Sequence, residues 1–213
     1  MSETAPRWRR RKTARPSEIV AAAFDVFAEK GFAAARLDEI AARAGVSKGA
    51  LYLYFETKED LFRAAVNAAV TPNLQAVRAM AEGFTGRFAD LAPMILARLA
   101  VMASTSRIPA LAKTVIGESR NFPDLAKVWH DTVLEQALGL IGGLITRAQD
   151  RGEIRPGDPR FYAVSLVGPL VVGFLWREVF VPVGAEPIDI ARLAEQHART
   201  VLGGMLTQPE LQP

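Results

Sequence analysis

The sequence predicts an all-α protein in three stretches: a basic arm at residues 1–16, a small three-helix head with a helix-turn-helix at 17–62, and a larger helical bundle over 63–213. Three observations predict it. Apolar residues recur at three- and four-residue spacing, prolines and glycines fall where helices would start and stop, and no stretch alternates long enough to build a sheet. With 213 residues, half of them hydrophobic, the chain can bury a substantial core.

The head is read first. Ser17 caps a helix running to Lys30, with Ile19, Val20, Ala23, Phe24 and Phe27 inward and Gly31 at its end. Leu37, Ile40, Ala41 and Ala44 give a second helix one apolar face, and Gly45 supplies the left-handed residue that stops it and reverses the chain. Ser47 caps the third helix. Leu51 and Phe55, four apart, turn that helix inward and leave Lys48, Gly49, Tyr52 and Tyr54 facing out. Lys48 follows the cap Ser47 and Lys58 follows the cap Thr57, although helix starts carry partial positive charge and disfavour cations. Both positions suit an anion, and a phosphate there would take free backbone N–H groups, an ammonium and a tyrosine hydroxyl together. The plainer alternative is two capped helices with stray surface lysines.

These residues carry a resemblance. IVAAAFDVFAEKGF, DEIAARAGVSKGALYLYF and TKEDLF together resemble the DNA-binding domain of the TetR/AcrR family of bacterial repressors, over Ser17 to Phe62. The rest of the chain matches in length and helical pattern, and GESRNFPDLAKVWHDTVLE resembles the carboxy-terminal region of the AefR-like subgroup. The resemblance implies that Ser47, Lys48, Gly49 and Ala50 approach base edges or adjacent phosphates, and that Tyr52, Tyr54 and Lys58 hold phosphates. Arg36 stands where the family usually has a capping threonine. It keeps the means to touch phosphate but cannot cap. Leu53 replaces a commoner aromatic or polar residue, so a thymine methyl or simple packing is expected there.

Further helices are expected from Thr57 to about Ala81, then at about Arg87–Ser104, Pro109–Gly117, Pro123–Arg151, Pro159–Val181 and Pro187–Leu206, four of them opened by proline. Gly152 to Pro159 reads as a loop. Phe161 to Trp176 carries no charge, yet it is short of a membrane span and is interrupted by Gly168-Pro169, so a buried helix is expected. By the resemblance, the last two long helices form a dimer interface, with Gly168, Val172, Trp176, Leu193, His197 and Val201 as candidates; the alternative is an intrachain core. The middle helices should hold a largely apolar effector site, for which Phe88, Met102, Phe122, Trp129, His130, Tyr162, Leu166 and Phe174 are candidates. The polar group Glu118, Ser119, Arg120, Asn121, Trp129, His130 and Asp131 belongs to the same expectation.

Enzymatic activity is not expected. His130 and His197 are the only histidines, there is no cysteine, and no nucleophile or phosphate-loop motif occurs. As sequence neighbours on a helix, His130 and Asp131 should diverge, and no metal-ligand spacing is present, so neither metal nor cofactor is expected. Up to Arg15 six basic residues face the single acid Glu3, a local charge of +5 in a chain of net +3. That arm should add counterion-release affinity beside the head or reach into a minor groove, the alternative being a solvated tail. Absent cysteines and no apolar stretch near Met1 point to the cytoplasm. The reading is a homodimeric repressor that binds double-stranded DNA at a palindromic operator, leaves with a small, mainly hydrophobic effector, and involves no membrane. A helical ligand-binding dimer that has lost DNA binding is the alternative. Efflux or secretion genes are the expected targets by resemblance.

Overall fold

The structure, a computed structural model, describes residues 16–207, so the basic arm lies almost wholly outside the described residues. Among the described residues ten α-helices follow one another: α1 Pro16–Ala34, α2 Leu37–Arg43, α3 Lys48–Tyr52, α4 Lys58–Glu82, α5 Phe88–Thr105, α6 Ile108–Glu118, α7 Pro123–Trp129, α8 Glu135–Asp150, α9 Pro159–Leu175 and α10 Ile190–Met205. Among the described residues there is no strand. A lone antiparallel bridge between Ile154 and Leu206 ties the end of α10 to the loop before α9. The all-α expectation holds.

Several boundaries move for local reasons. α1 already includes Pro16, ahead of the expected cap Ser17, and continues past a kink at Gly31 (φ 78°, ψ 178°) to Ala34. The single helix expected over Pro123–Arg151 contains a π-helical turn at His130–Leu134, where the Glu135 N–H reaches back five residues to the His130 carbonyl. A second π-turn at Trp176–Phe180 and a 3₁₀ turn at Val181–Val183 extend α9. Pro187 opens nothing. Asp189 caps α10 instead, accepting from the Ala191 and Arg192 N–H groups.

Two apolar cores form, and they do not divide at the end of the head. One joins Ile19, Phe27, Phe32, Ile40, Leu51 and Phe62 to Leu111 and Val115 of α6 and Leu125 of α7. The other is built from α5, α8, α9 and α10 around Ile95, Ile145, Leu166 and Ala194. α4 runs through both, giving Leu61 to Val70 to the first and Val77 to the second. The helical run Pro159–Val183 reaches 25 residues, so by length and composition it is long and apolar enough to cross a membrane, as is Phe88–Thr105. The uncharged stretch Phe161–Trp176 within Pro159–Val183 runs through Pro169 without the expected interruption, and it is not the buried helix expected. Only 17% of the first segment's apolar window is buried, against 39% of the second.

Candidate nucleic-acid interface

The turn between α2 and α3 forms as its residues dictate. Arg36 occupies the cap position of α2 in extended geometry and makes no capping bond, whereas Gly45 adopts φ 70° and reverses the chain. Ser47 Oγ accepts the Ala50 N–H at 3.1 Å, and Thr57 Oγ1 accepts the Asp60 N–H at 3.0 Å. Leu51 is fully buried and Phe55 half-buried, which fixes the inner face of α3. Tyr52 and Tyr54 are each 45% exposed and Leu53 is 83% exposed, beside exposed Ser47, Lys48 and Gly49 and half-buried Ala50. A Cβ on Gly49 would meet no side chain closer than Ser47 Oγ at 4.0 Å, so the chain's own packing does not demand glycine there.

Electrostatics divide the three cations of this face. Lys48 Nζ pairs with Asp38 Oδ1 at 2.8 Å; the hydrogen bond raises the ammonium's pKa and lowers that of the carboxyl. Arg36 approaches the same Asp38 at 3.9 Å with its side chain largely exposed. Asp38 went unremarked in the sequence, where its only signal is an acid in the first turn of α2. Lys58 differs from the outward-facing residue expected. It is half-buried, donates to the Ala33 carbonyl at 3.3 Å and stands 4.6 Å above the Phe32 ring. Burial lowers its pKa, with the charges of Glu118 and Glu59 opposing.

Glu118 also falls elsewhere than expected. Its carboxylate, grouped with effector residues in the sequence, accepts the Phe32 N–H at 3.1 Å and the Ala33 N–H at 2.6 Å in the head. Nor do the eight effector candidates share one cavity. Met102, Phe122 and Trp129 pack against the head-side core, while Phe88, Tyr162, Leu166 and Phe174 belong to or pack on the other. Phe122 meets Phe32 edge-on at 5.1 Å. Phe88 lines a 270 Å³ cleft with Phe84 and Leu91, and His130 lines a separate 620 Å³ cleft with Leu134, Leu138 and Gly142. Helical spacing put these aromatics inward without saying into which core.

His130 and Asp131, expected to diverge, meet at 2.9 Å in the first residues of the π-turn. With Glu135 they form an exposed trio whose ligand-type atoms lie within 4.8 Å of one another. Asp131 is also bridged to Lys127 at 2.8 Å. Its carboxyl is held below the usual range by His130 first and then Lys127.

The six interface candidates do not form one outward surface either. His197 Nε2 lies 3.0 Å from the Ser165 carbonyl and 3.1 Å from that of Leu166, and Leu193 packs at Gly173, so both join α10 to α9 within the chain. Val201 packs on the same core, and the Trp176 indole donates to the Glu186 carbonyl at 2.9 Å. Gly168 is half-buried. Val172 is 61% exposed and shares the uncovered face of α9 with Phe161 at 71% and Val164 at 48%. The amphipathic α10 spends its apolar face on its own chain, leaving α9 with the surplus.

Comparison with known proteins matches both the head and the bundle. Residues 19–65 match the family described as "Bacterial regulatory proteins, tetR family", and residues 85–195 match "Tetracyclin repressor-like, C-terminal domain". The chain is 31% identical over 167 residues to the HTH-type transcriptional repressor BepR of Brucella suis, covering 74% of this chain and 77% of that protein. It is 30% identical over 196 residues to the HTH-type transcriptional regulator UidR of Escherichia coli K12, covering 90% and 92%. A solved TetR-family regulator from Mesorhizobium loti superposes with a TM-score of 0.76 at 22% identity, covering 90% of this chain and 96% of that one, which is a likeness of fold.

Proposed function

The chain belongs to the tetR family of bacterial regulatory proteins, and from that premise we propose that it is a homodimeric repressor that occupies a palindromic operator and leaves it when a small, mainly hydrophobic molecule binds. The observation that carries the reading is the outward row of Lys48, Gly49, Tyr52, Leu53 and Tyr54 on a helix-turn-helix whose inner face is already closed by Leu51. Lys48 and the tyrosine hydroxyls suit phosphate oxygens, uncrowded Gly49 allows a close backbone approach, and Leu53 offers an apolar contact to a thymine methyl. Lys58 reaches phosphate by leaving the Ala33 carbonyl. Repression is what the Brucella relative's name says of that protein, and it is carried over here.

Dimerisation is supported by the uncovered apolar face of α9, which a second copy covers by twofold symmetry. The 620 Å³ cleft is of a size for a small molecule, with Leu134, Leu138 and Pro159 for its apolar body and His130, Glu135 and Arg160 for a polar end. A DNA-binding role sets the protein in the cytoplasm, with neither catalysis nor a membrane involved. A gel shift of the full chain on DNA upstream of its own gene tests the reading. A discrete complex at physiological salt, competed by the same duplex and not by a scrambled one, is expected. Equal competition by both duplexes sinks operator recognition, and the absence of any complex favours a ligand-binding dimer that has lost DNA binding.

A further inference from the structure

α6 is strapped to α1 of the head at both ends. At its start Arg107 pairs with Glu29 at 2.9 Å and Asp25 at 3.6 Å. At its end Glu118 Oε1 accepts the Phe32 N–H at 3.1 Å and Oε2 the Ala33 N–H at 2.6 Å. Gly31 makes this second strap in two ways. Its positive φ of 78° turns the backbone so that two successive N–H groups face one carboxylate, and a Cβ there would lie 2.3 Å from Glu118 Oε1. The same short segment holds Lys58 of α4, through the Ala33 carbonyl at 3.3 Å and the Phe32 ring at 4.6 Å. Phe32 in turn packs on Phe122, just beyond α6. One carboxylate thus joins the end of α6, the end of α1 and the first residue of α4.

We propose that Glu118 is a positioning residue for operator binding: its carboxylate, held by the Phe32 and Ala33 N–H groups, fixes the orientation of the reading head on α6. The inference rests on the regulatory reading above. A dimer gains from its second head only when both heads sit at the spacing of the two half-sites, so a head that swivels on α6 loses simultaneous engagement. Contacts made by one head to any phosphate backbone are untouched by such swivelling. Loosening the strap therefore lowers affinity for the operator and leaves affinity for unrelated DNA as it was.

Glu118→Gln tests this, because the amide keeps the size but offers one acceptor oxygen and sets an NH₂ against a backbone N–H. The probes are the duplex that wild-type protein selects from a random-sequence pool and a scrambled duplex of equal length, with Asp150→Asn, at an exposed carboxylate ending α8, as control. Glu118→Gln should bind the selected duplex about tenfold more weakly, within the usual span of site-to-site coupling, and the scrambled one within about twofold. Amide hydrogen exchange at Phe32 and Ala33 should accelerate while Phe27 keeps its rate. An unchanged ratio between the two duplexes, whether both affinities hold or both fall, overturns the proposal, as does tighter binding to the selected duplex. Should Glu118→Gln prove too unstable to assay, Glu118→Asp, which keeps both oxygens one carbon short, should give an intermediate ratio, and a wild-type ratio overturns the proposal. Wild-type protein that selects no duplex defeats the regulatory reading itself; a selected duplex bound equally by the variant defeats this inference alone.

Discussion

Lys48 stands in the first turn of a helix, where backbone N–H groups make a cation unfavourable unless an anion is close. In the free protein Asp38 is that anion, at 2.8 Å, so a DNA phosphate has to compete with it. Asp38→Asn should accordingly tighten binding to every duplex several-fold, steepen the salt dependence by about one ion, and narrow the gap between operator and scrambled DNA. Fluorescence anisotropy over a salt series measures this, and an unaltered slope would show that Asp38 does not compete. A second carboxylate sets an acid limit. Glu29 of α1 is held at a pKa of about 2, by Arg43 first and then Arg107, against an ordinary value of 4.5. A lowered folded-state pKa means that stability from this pair of bridges is complete above the ordinary value and is lost as pH falls toward 2. Urea midpoints should therefore decline between about pH 4.5 and 2, and Glu29→Gln should flatten that decline. The outward setting of Lys48 and Tyr52 was legible in the sequence because helical period decides it, and Tyr54, in the turn just beyond α3, is exposed beside them. Asp38 and the inward pull on Lys58 were not legible. They depend on how the Gly45 turn sets α2 against α3, and on where the kink at Gly31 leaves Phe32 and Ala33.

At the scale of elements, local chemistry was read well wherever one residue decides the backbone. Gly31 and Gly45 take positive φ, Ser47 and Thr57 cap, and Pro123 and Pro159 open their helices. The π-turns at His130–Leu134 and Trp176–Phe180 were illegible, because one extra residue in a long apolar pattern leaves no mark that a 3.6-residue period would reveal. Pro187 misled for a related reason: a proline can open a helix, but Asp189 had the side chain to cap one. α9 holds the most testable element. Its residues Ala163, Leu166, Leu170 and Gly173 are buried in the chain's own core, while Val172 is 61% exposed. Val172→Asp should consequently leave the protomer folded, with an unchanged circular dichroism spectrum, and act only on association. A lone carboxylate buried in an apolar interface costs on the order of 3 kcal/mol or more, enough to dissociate a dimer of ordinary strength. Sedimentation should find monomers at concentrations where wild type is dimeric, and operator binding should disappear with the dimer. A persistent dimer would place the interface on another face.

Across the whole molecule, the division drawn from sequence at residue 62 is less informative than the path of the cores. The head shares its apolar interior with α6 and α7, while α5, α8, α9 and α10 enclose a second interior, and α4 passes from one to the other. α6 reaches the far side as well: Lys113 donates to the Glu178 carbonyl in the π-turn after α9, at 3.1 Å. Sequence periodicity could assign each helix an inner face, but two cores present the same period, and only the tertiary arrangement decides which face goes where. The consequence is that a molecule lodged beside α8 and the start of α9 can act on the head along α4, which packs on α8, or along the length of α9 to the π-turn that Lys113 of α6 holds. If such a molecule prefers the arrangement in which the heads are misplaced by about 1–3 kcal/mol, operator affinity falls between several-fold and about a hundredfold. Linkage requires the reverse as well, so bound operator must weaken that molecule's binding by the same factor although the two never touch. Isothermal titration of any compound that releases the protein from its selected duplex, performed once on free protein and once on the complex, gives both numbers. Equal affinities in the two titrations would mean that the compound acts by some means other than shifting the heads.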